Sequence, residues 1–220
     1  MYARTVQAIL CAALLSFARV AVADGSNPVP NPSASKAAAP VKSADKAQKA
    51  SWPISDAPVH RLVEKGIPNF GKLNDVIWRS GQPTRDGYKA LAAKGLKTVV
   101  NLRDEFRQDE ELIPEGVHYF CIPVKDEHAP TAEQASEFLK IASDPMNWPL
   151  LVHCESGQGR AGVMSALVRS SLDRWDHGAI MKEVGNFRVR YLGLFKTSMA
   201  KSQQKFIQHW EESAGVNARQ

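Results

Sequence analysis

The pattern of apolar and polar positions changes at about residue 58 and from there predicts a folded domain. Short β-branched and aliphatic runs predict buried strands at 76–78, 97–102, 117–124 and 150–153. Helical spacing of apolar residues predicts helices at 84–94, 131–143, 161–172, 176–187 and about 196–212. Strands that alternate with helices indicate an α/β domain, with a mostly parallel central sheet flanked by helices on both faces.

The first 23 residues have the pattern of an export signal. Arg4 provides a basic start, an apolar run covers residues 6–17, and the A-x-A site at 21–23 predicts cleavage before Asp24. The apolar run is shorter than the roughly 20 residues that cross a bilayer. We therefore expect an exported protein, periplasmic or secreted, with no stable membrane span after cleavage.

Residues 24–57 are rich in Pro, Ala, Ser and Lys and hold few large apolar side chains. Burial of so few apolar groups does not offset the entropy lost on ordering, so this segment is predicted to be a disordered linker. The folded catalytic domain is then expected to cover residues 58–215.

The formal net charge of +5 does not indicate a nucleic-acid partner, because residues 59–220 hold 22 basic and 20 acidic residues. The chain has three cysteines, of which Cys11 falls in the export signal. A disulfide scaffold or a zinc ribbon does not suit so few cysteines.

The strongest chemical signal is the segment from Cys154 to Arg160, between a predicted strand and a predicted helix. Gly157 and Gly159 allow this loop to curl so that backbone N–H groups point inward, beside the positive end of the helix. Arg160 offers a planar fork for two phosphate oxygens. These positive groups should favour a nucleophilic thiolate. The segment predicts a site for transfer of a phosphoryl group to the sulfur of Cys154. The predicted phosphate loop is formed by Glu155, Ser156, Gly157, Gln158, Gly159 and Arg160.

The pattern His153-Cys154-x5-Arg160 resembles the signature of cysteine-dependent protein tyrosine and dual-specificity phosphatases. The blocks WRSGQPT (78–84), LKTVVNLRDE (96–105) and DPMNWPLLVHC (144–154) look like the small atypical dual-specificity phosphatases of fungi and plants and their bacterial relatives. The resemblance implies a protein tyrosine phosphatase-like fold and hydrolysis through a cysteinyl-phosphate. The substrate would be a phosphorylated protein or a small phosphate ester. No metal or other cofactor is expected, because Arg160 and the loop amides supply the positive field.

A carboxylic acid should protonate the leaving oxygen and later help to activate water. Asp126 lies three residues after Pro123 and matches the aspartate of the family. Glu127 is the alternative, because a shift of one residue in this loop would exchange the two side chains.

Four further residues are interpreted as supporting or structural. The family pattern implies that His153 hydrogen-bonds the backbone near Cys154, and a plain buried histidine is the alternative. Arg79 and Asp104 are interpreted as structural ion-pair residues at strand ends. Cys121 is expected to be a buried strand cysteine, and a regulatory disulfide with Cys154 is the alternative.

Two departures from the family leave the function partly open. Ala161 stands where the family usually has Ser or Thr, which predicts slow hydrolysis of the phosphocysteine. Glu155 and Gln158 stand where phosphoinositide and inositol-pyrophosphate phosphatases of this type tend to carry basic residues, which favours phosphotyrosine or another monoester. The alternatives are a phosphoinositide or inositol-phosphate phosphatase, and a weakly active phosphate-binding domain. An arsenate-reductase-like enzyme would require a nearby resolving cysteine, and none follows Cys154.

Overall fold

The computed structural model describes residues 52–105, 108–191, 195–196 and 199–213. The predicted export signal and residues 24–51 of the predicted linker lie outside the described residues. Within those described ranges, no helix has the length and apolar character needed to cross a membrane.

Among the described residues, the central sheet has six strands, and its order confirms the predicted mostly parallel architecture. The strands are β1 (Leu62–Glu64), β2 (Ile67–Lys72), β3 (Ile77–Ser80), β4 (Thr98–Arg103), β5 (His118–Val124) and β6 (Leu150–His153). Their spatial order is β1-β2-β3-β6-β4-β5. The pairs β1/β2 and β2/β3 are antiparallel, whereas β3, β6, β4 and β5 run parallel to one another.

Five α-helices surround the sheet among the described residues. They are α1 (Arg85–Ala93), α2 (Ala132–Ser143), α3 (Arg160–Val168), α4 (His177–Asn186) and α5 (Lys201–Ser213). A π-helical turn at Arg169–Asp173 continues α3, and 3₁₀ turns cover Gln108–Leu112 and Pro145–Asn147. A small hairpin pairs β7 (Arg190–Tyr191) with β8 (Phe195–Lys196).

Local capping explains where two helices begin. The Thr84 side chain accepts a hydrogen bond from the Gly87 amide, which satisfies an orphan N–H group at the start of α1. Thr131 and Gln134 form the predicted capping box at the start of α2, with reciprocal bonds of 2.8 and 3.2 Å.

Alternation along the strands divides the core between the two faces of the sheet. Val99 and Leu151 pack with residues of α1 on one face, whereas Val100 and Val152 pack with the other helices on the opposite face. Because β3, β6, β4 and β5 are parallel, their carboxyl ends lie at one edge of the sheet, where the loops after β4, β5 and β6 can meet.

The antiparallel hairpin β1–β2 was not predicted, because its sequence lacks a clear period of two. Gly66 and Asn69 both adopt positive φ angles, and Leu62 and Val63 are exposed. The Asn69 side chain donates hydrogen bonds of 3.0 Å to the carbonyls of Ser156 and Phe187, so this irregular strand supports the cysteine loop.

The segment from Trp52 to Ala57, within the predicted linker, packs onto the folded domain. The Trp52 indole donates a 2.7 Å hydrogen bond to Asp173 and is buried. The buried Arg169 guanidinium donates to the carbonyls of Ser55 and Ala57 at 3.1 and 3.2 Å. Residues 52–57 therefore pack as part of the folded domain.

Both expectations for Cys121 are corrected by the sheet order. Cys121 lies on β5 and is exposed, because β5 is an edge strand whose core-facing positions are Ile122 and Val124. Strand β4 lies between β5 and β6, so two strand spacings separate Cys121 from the end of β6. That separation is too large for a disulfide with Cys154, and both residues are thiols.

Candidate active site

The cysteine loop runs from Cys154, directly after β6, to Arg160, the first residue of α3. Cys154 is buried, and the Gly157 amide donates a hydrogen bond to its Sγ at 3.2 Å. Gly157 has a φ of +72°, and a Cβ at this position would lie 2.4 Å from the Gly81 nitrogen. Only glycine therefore allows this amide to face the sulfur.

The loop rests on the turn that follows β3. The Gln82 amide donates to the Glu155 carbonyl at 2.9 Å, and the same turn supplies the backbone that packs against Gly157. The RSGQP sequence (79–83) thus forms the floor of the loop, which gives a structural reason for the upstream block noted in the sequence.

The Arg160 guanidinium points toward the loops after β4 and β5 and is buried. Its Nη1 and Nη2 donate to the two Glu105 carboxylate oxygens at 2.8 and 3.0 Å, and Nη1 also donates to the Val124 carbonyl at 3.2 Å. Burial opposes the charge of Arg160, but the bonds with Glu105 and the attraction of Cys154 raise its pKa above the ordinary value. In turn, Arg160 holds the pKa of Glu105 well below its usual range.

Asp126 lies in the loop after β5 and forms an ion pair with Arg160. Its Oδ1 lies 3.2 Å from Arg160 Nη2, and its side chain is 67% exposed. Glu127 adopts a positive φ of 58°, and its carbonyl is held by the Ser202 hydroxyl at 2.9 Å. The structure thus brings Cys154, Arg160 and Asp126 to one edge of the sheet, and the Asp126 carboxylate reaches the site.

His153 does not hydrogen-bond the backbone of the cysteine loop, which corrects the expected contact. Because side chains alternate along β6, His153 faces α1, where its Nε2 lies 3.0 Å from both the Tyr88 hydroxyl and Asp109 Oδ2. Gln82 donates to the other Asp109 oxygen at 2.6 Å. Burial disfavours the charge of Asp109, but hydrogen bonds from His153, Tyr88 and Gln82 keep its pKa below the ordinary value.

The remaining loop residues have structural contacts or face solvent. Gln158 accepts a 2.8 Å hydrogen bond from the Val189 amide, and Gly159 packs closely against Gln203 of α5. Glu155 and Ser156 are exposed, and the Glu155 carboxylate lies 4.0 Å from Arg103.

The residue after Arg160 lacks a hydroxyl, and the nearest serine in α3 does not replace it. Ala161 is fully buried, and the Ser165 hydroxyl donates to the Ala161 carbonyl at 2.7 Å. The Ser165 hydroxyl therefore donates its proton to a helix carbonyl and does not replace the hydroxyl that is missing at position 161.

Of the two residues interpreted as structural ion-pair residues, Arg79 is corrected and Asp104 is confirmed as an ion-pair residue. Arg79 does not form an ion pair at a strand end: within the described ranges its guanidinium has no carboxylate within 4 Å, and it donates instead to the Gly157 carbonyl at 2.6 Å. Asp104 does form an ion pair, but with Arg160 at 3.4 Å, so it belongs to the site. Glu105 was not singled out from the sequence, where the only signal was an acidic loop after a strand.

Replacing Glu105 with Gln should tighten the binding of inorganic phosphate roughly three- to tenfold. The Glu105 carboxylate occupies the same guanidinium fork that phosphate oxygens would use, and its low pKa keeps it charged at neutral pH. Isothermal titration calorimetry of the wild type and the variant measures this difference.

Glu110→Gln is the matched control, because Glu110 is an exposed acid in the same connection and should leave phosphate affinity unchanged. Weaker phosphate binding by Glu105→Gln would show that Glu105 orients Arg160 for the phosphate rather than competing with it.

The fold and the site together define the class of this domain: a thiol and an arginine at the two ends of a phosphate-type loop on a parallel α/β sheet. The family described as "DSP-PTPase phosphatase fused to NAD+ Kinase" matches residues 57–208, and the chain belongs to this dual-specificity phosphatase family. The resemblance identified from the sequence is thereby confirmed.

Two plant proteins illustrate the range of relatives. The chain is 32% identical over 146 residues to the protein named inositol diphosphatase DSP2 of Oryza sativa subsp. japonica, covering 59% of this chain and 71% of that protein. It is 34% identical over 101 residues to the probable chloroplastic NAD kinase 2 of the same plant, covering 42% of this chain. The matched region is only 10% of that kinase's length.

Solved structures share the fold. The P. aeruginosa protein TpbA has a TM-score of 0.54 and 22% identity, covering 74% of this chain and 94% of TpbA. The Siw14 catalytic core has a TM-score of 0.55 and 20% identity, covering 71% of this chain and 96% of that core.

Proposed function

We propose that this protein hydrolyses phosphate monoesters, of the phosphotyrosine or dual-specificity type, through a cysteinyl-phosphate intermediate. The observation that carries the proposal is that one loop holds both a backbone amide that donates to Cys154 Sγ and the two-pronged guanidinium of Arg160. An amide donor and a nearby guanidinium both favour the thiolate, and the fork can bind two phosphate oxygens.

The proposed reaction has two steps. In the first, the Cys154 thiolate attacks phosphorus, an S–P bond forms, the P–O bond to the leaving group breaks, and Asp126 gives its proton to the leaving oxygen. In the second, water attacks the phosphocysteine, its proton passes to Asp126, and the S–P bond breaks to release phosphate and restore the thiolate. Arg160 and the loop amides stabilise the phosphoryl oxygens in both steps.

The charges around the mouth of the site favour a substrate with one phosphate group. Four carboxylates lie at or near Arg160 or on the loop itself: Asp104, Glu105, Asp126 and Glu155. They would repel the additional phosphates of a polyphosphorylated ligand. An inositol phosphate is the second candidate, because relatives of this chain are named inositol diphosphatases.

The proposal is tested by turnover of the full chain, under reducing conditions, on an aryl phosphate, a phosphotyrosine peptide and an inositol pyrophosphate. We expect kcat/KM to be highest for the phosphotyrosine peptide. A higher value for the inositol pyrophosphate would favour the second candidate, and no release of phosphate from any of the three would contradict phosphatase activity.

The time course of the same reaction examines the effect of Ala161. Because no hydroxyl stands next to Arg160, we expect a rapid burst of one product per enzyme followed by slower steady turnover. Intact-protein mass spectrometry would detect the accumulated phosphocysteine on Cys154. Binding without a burst would instead indicate a phosphate-recognition domain.

We also propose that the protein is exported, to the periplasm or outside the cell. The support is the basic start, the apolar run and the A-x-A site within residues 1–23. N-terminal sequencing of the protein from an exported fraction should begin at Asp24, and recovery only of a chain that retains Met1 would contradict this proposal.

A further inference from the structure

Arg79 is a buried charged residue that lies beneath the cysteine loop. It is fully buried on β3, and its guanidinium stacks on the Phe187 ring at 3.8 Å from the ring centroid. Its Nη2 donates to the Gly157 carbonyl at 2.6 Å and would lie 3.6 Å from a Cβ on Gly162, in the first turn of α3. The positive charge is therefore held between the loop and the helix that begins at Arg160.

The positive charge of Arg79 has little compensation from carboxylates. Within the described part of the chain, its Nε and Nη1 atoms have no hydrogen-bond partner. Glu183 attracts it electrostatically, but both Glu183 oxygens are already bound by Arg169, at 3.0 and 2.8 Å. A buried charge without a carboxylate partner is costly, so a nearby anion would stabilise Arg79.

The Cys154 thiolate can be that anion. Gly157 connects the two side chains, because its carbonyl accepts from Arg79 and its amide donates to Cys154 Sγ. Burial lowers the pKa of Arg79 to about 10, and attraction to Glu183 and Cys154 opposes that fall. Arg79 therefore remains charged at neutral pH.

We propose that Arg79 is a positioning residue that holds Cys154 as a thiolate and turns the Gly157 carbonyl away from the bound phosphate. This inference rests on the proposed function, because that function makes Cys154 the nucleophile. It assigns to the RSGQP block a chemical role in addition to its structural one.

The charged groups around Cys154 and Arg79 explain why a cation besides Arg160 would stabilise the Cys154 thiolate. Among the described residues, the charged groups that act on Cys154 or Arg79, directly or through Arg160, include Arg160, Asp104, Glu105, Asp126, Arg169 and Glu183. Three carboxylates share the charge of Arg160, which weakens its attraction for the thiolate. Arg79 faces the loop from the opposite side, with no carboxylate bound to it among the described residues.

Two substitutions test the charge of Arg79. Arg79→Gln removes the charge and keeps a shorter polar side chain, whereas Arg79→Lys retains the charge. The ultraviolet absorbance of the thiolate, with the Cys154→Ser spectrum subtracted, gives the pH midpoint of Cys154 ionisation. We expect this midpoint to rise by about one pH unit or more in Arg79→Gln and to return toward the wild-type value in Arg79→Lys. Arg85→Gln, which removes an exposed arginine of α1, should leave it unchanged.

The outcomes distinguish this inference from the proposed function. A folded Arg79→Gln variant with the wild-type midpoint would overturn the role of Arg79 and leave the phosphatase proposal intact. Wild-type Cys154 that is protonated at neutral pH would contradict both the proposed function and this inference. If Arg79→Gln does not fold, the test is the difference in Tm between the wild type and Cys154→Ser. This difference should be larger at neutral than at acidic pH, because the thiolate is present only at the higher pH. An equal difference at both pH values would overturn the inference.

Discussion

Cys154→Ser should lower kcat/KM for an aryl phosphate by at least about 10⁴-fold while phosphate binding persists. A serine hydroxyl is not ionised at neutral pH, so the amide of Gly157 would face a neutral oxygen instead of a nucleophilic anion. The Arg160 fork and the backbone of the loop do not depend on the sulfur. Steady-state kinetics and calorimetry with a phosphotyrosine peptide measure the two effects separately.

The matched control for this substitution is Cys121→Ser. Cys121 is exposed on the edge strand β5, and β4 separates it from β6, so its loss should leave turnover within about twofold of the wild type. Wild-type activity in Cys154→Ser would contradict the central role of Cys154. Equal losses in both cysteine variants would indicate damage to the fold rather than to the chemistry.

The parts of this fold that sequence reasoning predicted are those in which local pattern and tertiary position agree. Strand β6 was predicted at its observed bounds, because an aliphatic run leads directly into the cysteine loop. The capping box at Thr131 likewise depends on residues three positions apart. Cys154 and Arg160 could be assigned together because one short loop places both of them.

The parts that were missed depend on contacts between distant segments. Glu105 reaches Arg160 only because β4 and β6 are neighbours, and no local pattern marks it. His153 adjoins Cys154 in sequence, yet alternation along β6 points it toward Tyr88 on the other face of the sheet. Arg79 was interpreted as a structural ion-pair residue at a strand end, and only the burial of β3 shows that its charge lies under the loop.

Asp126→Asn should reduce kcat by about 10²- to 10⁴-fold for substrates with poor leaving groups. The Asp126 carboxylate lies 3.2 Å from the Arg160 guanidinium and is largely exposed, so it borders the place where the leaving oxygen would depart. Asparagine can retain a similar shape but cannot donate an acidic proton. The loss should therefore grow as the leaving phenol becomes more basic, which a series of substituted aryl phosphates would reveal.

Glu127→Gln is the control that distinguishes the two acidic residues of this loop. The Glu127 carbonyl accepts a hydrogen bond from Ser202, and the Glu127 backbone has a left-handed conformation. A loop shift that placed the Glu127 side chain at the position of Asp126 would have to break that hydrogen bond and change that conformation. We expect Glu127→Gln to keep the leaving-group dependence of the wild type. If instead that dependence steepens in Glu127→Gln and not in Asp126→Asn, Glu127 is the general acid. A uniform loss for all leaving groups in Asp126→Asn would mean that Asp126 orients Arg160 and transfers no proton, because only proton donation is sensitive to the basicity of the departing oxygen.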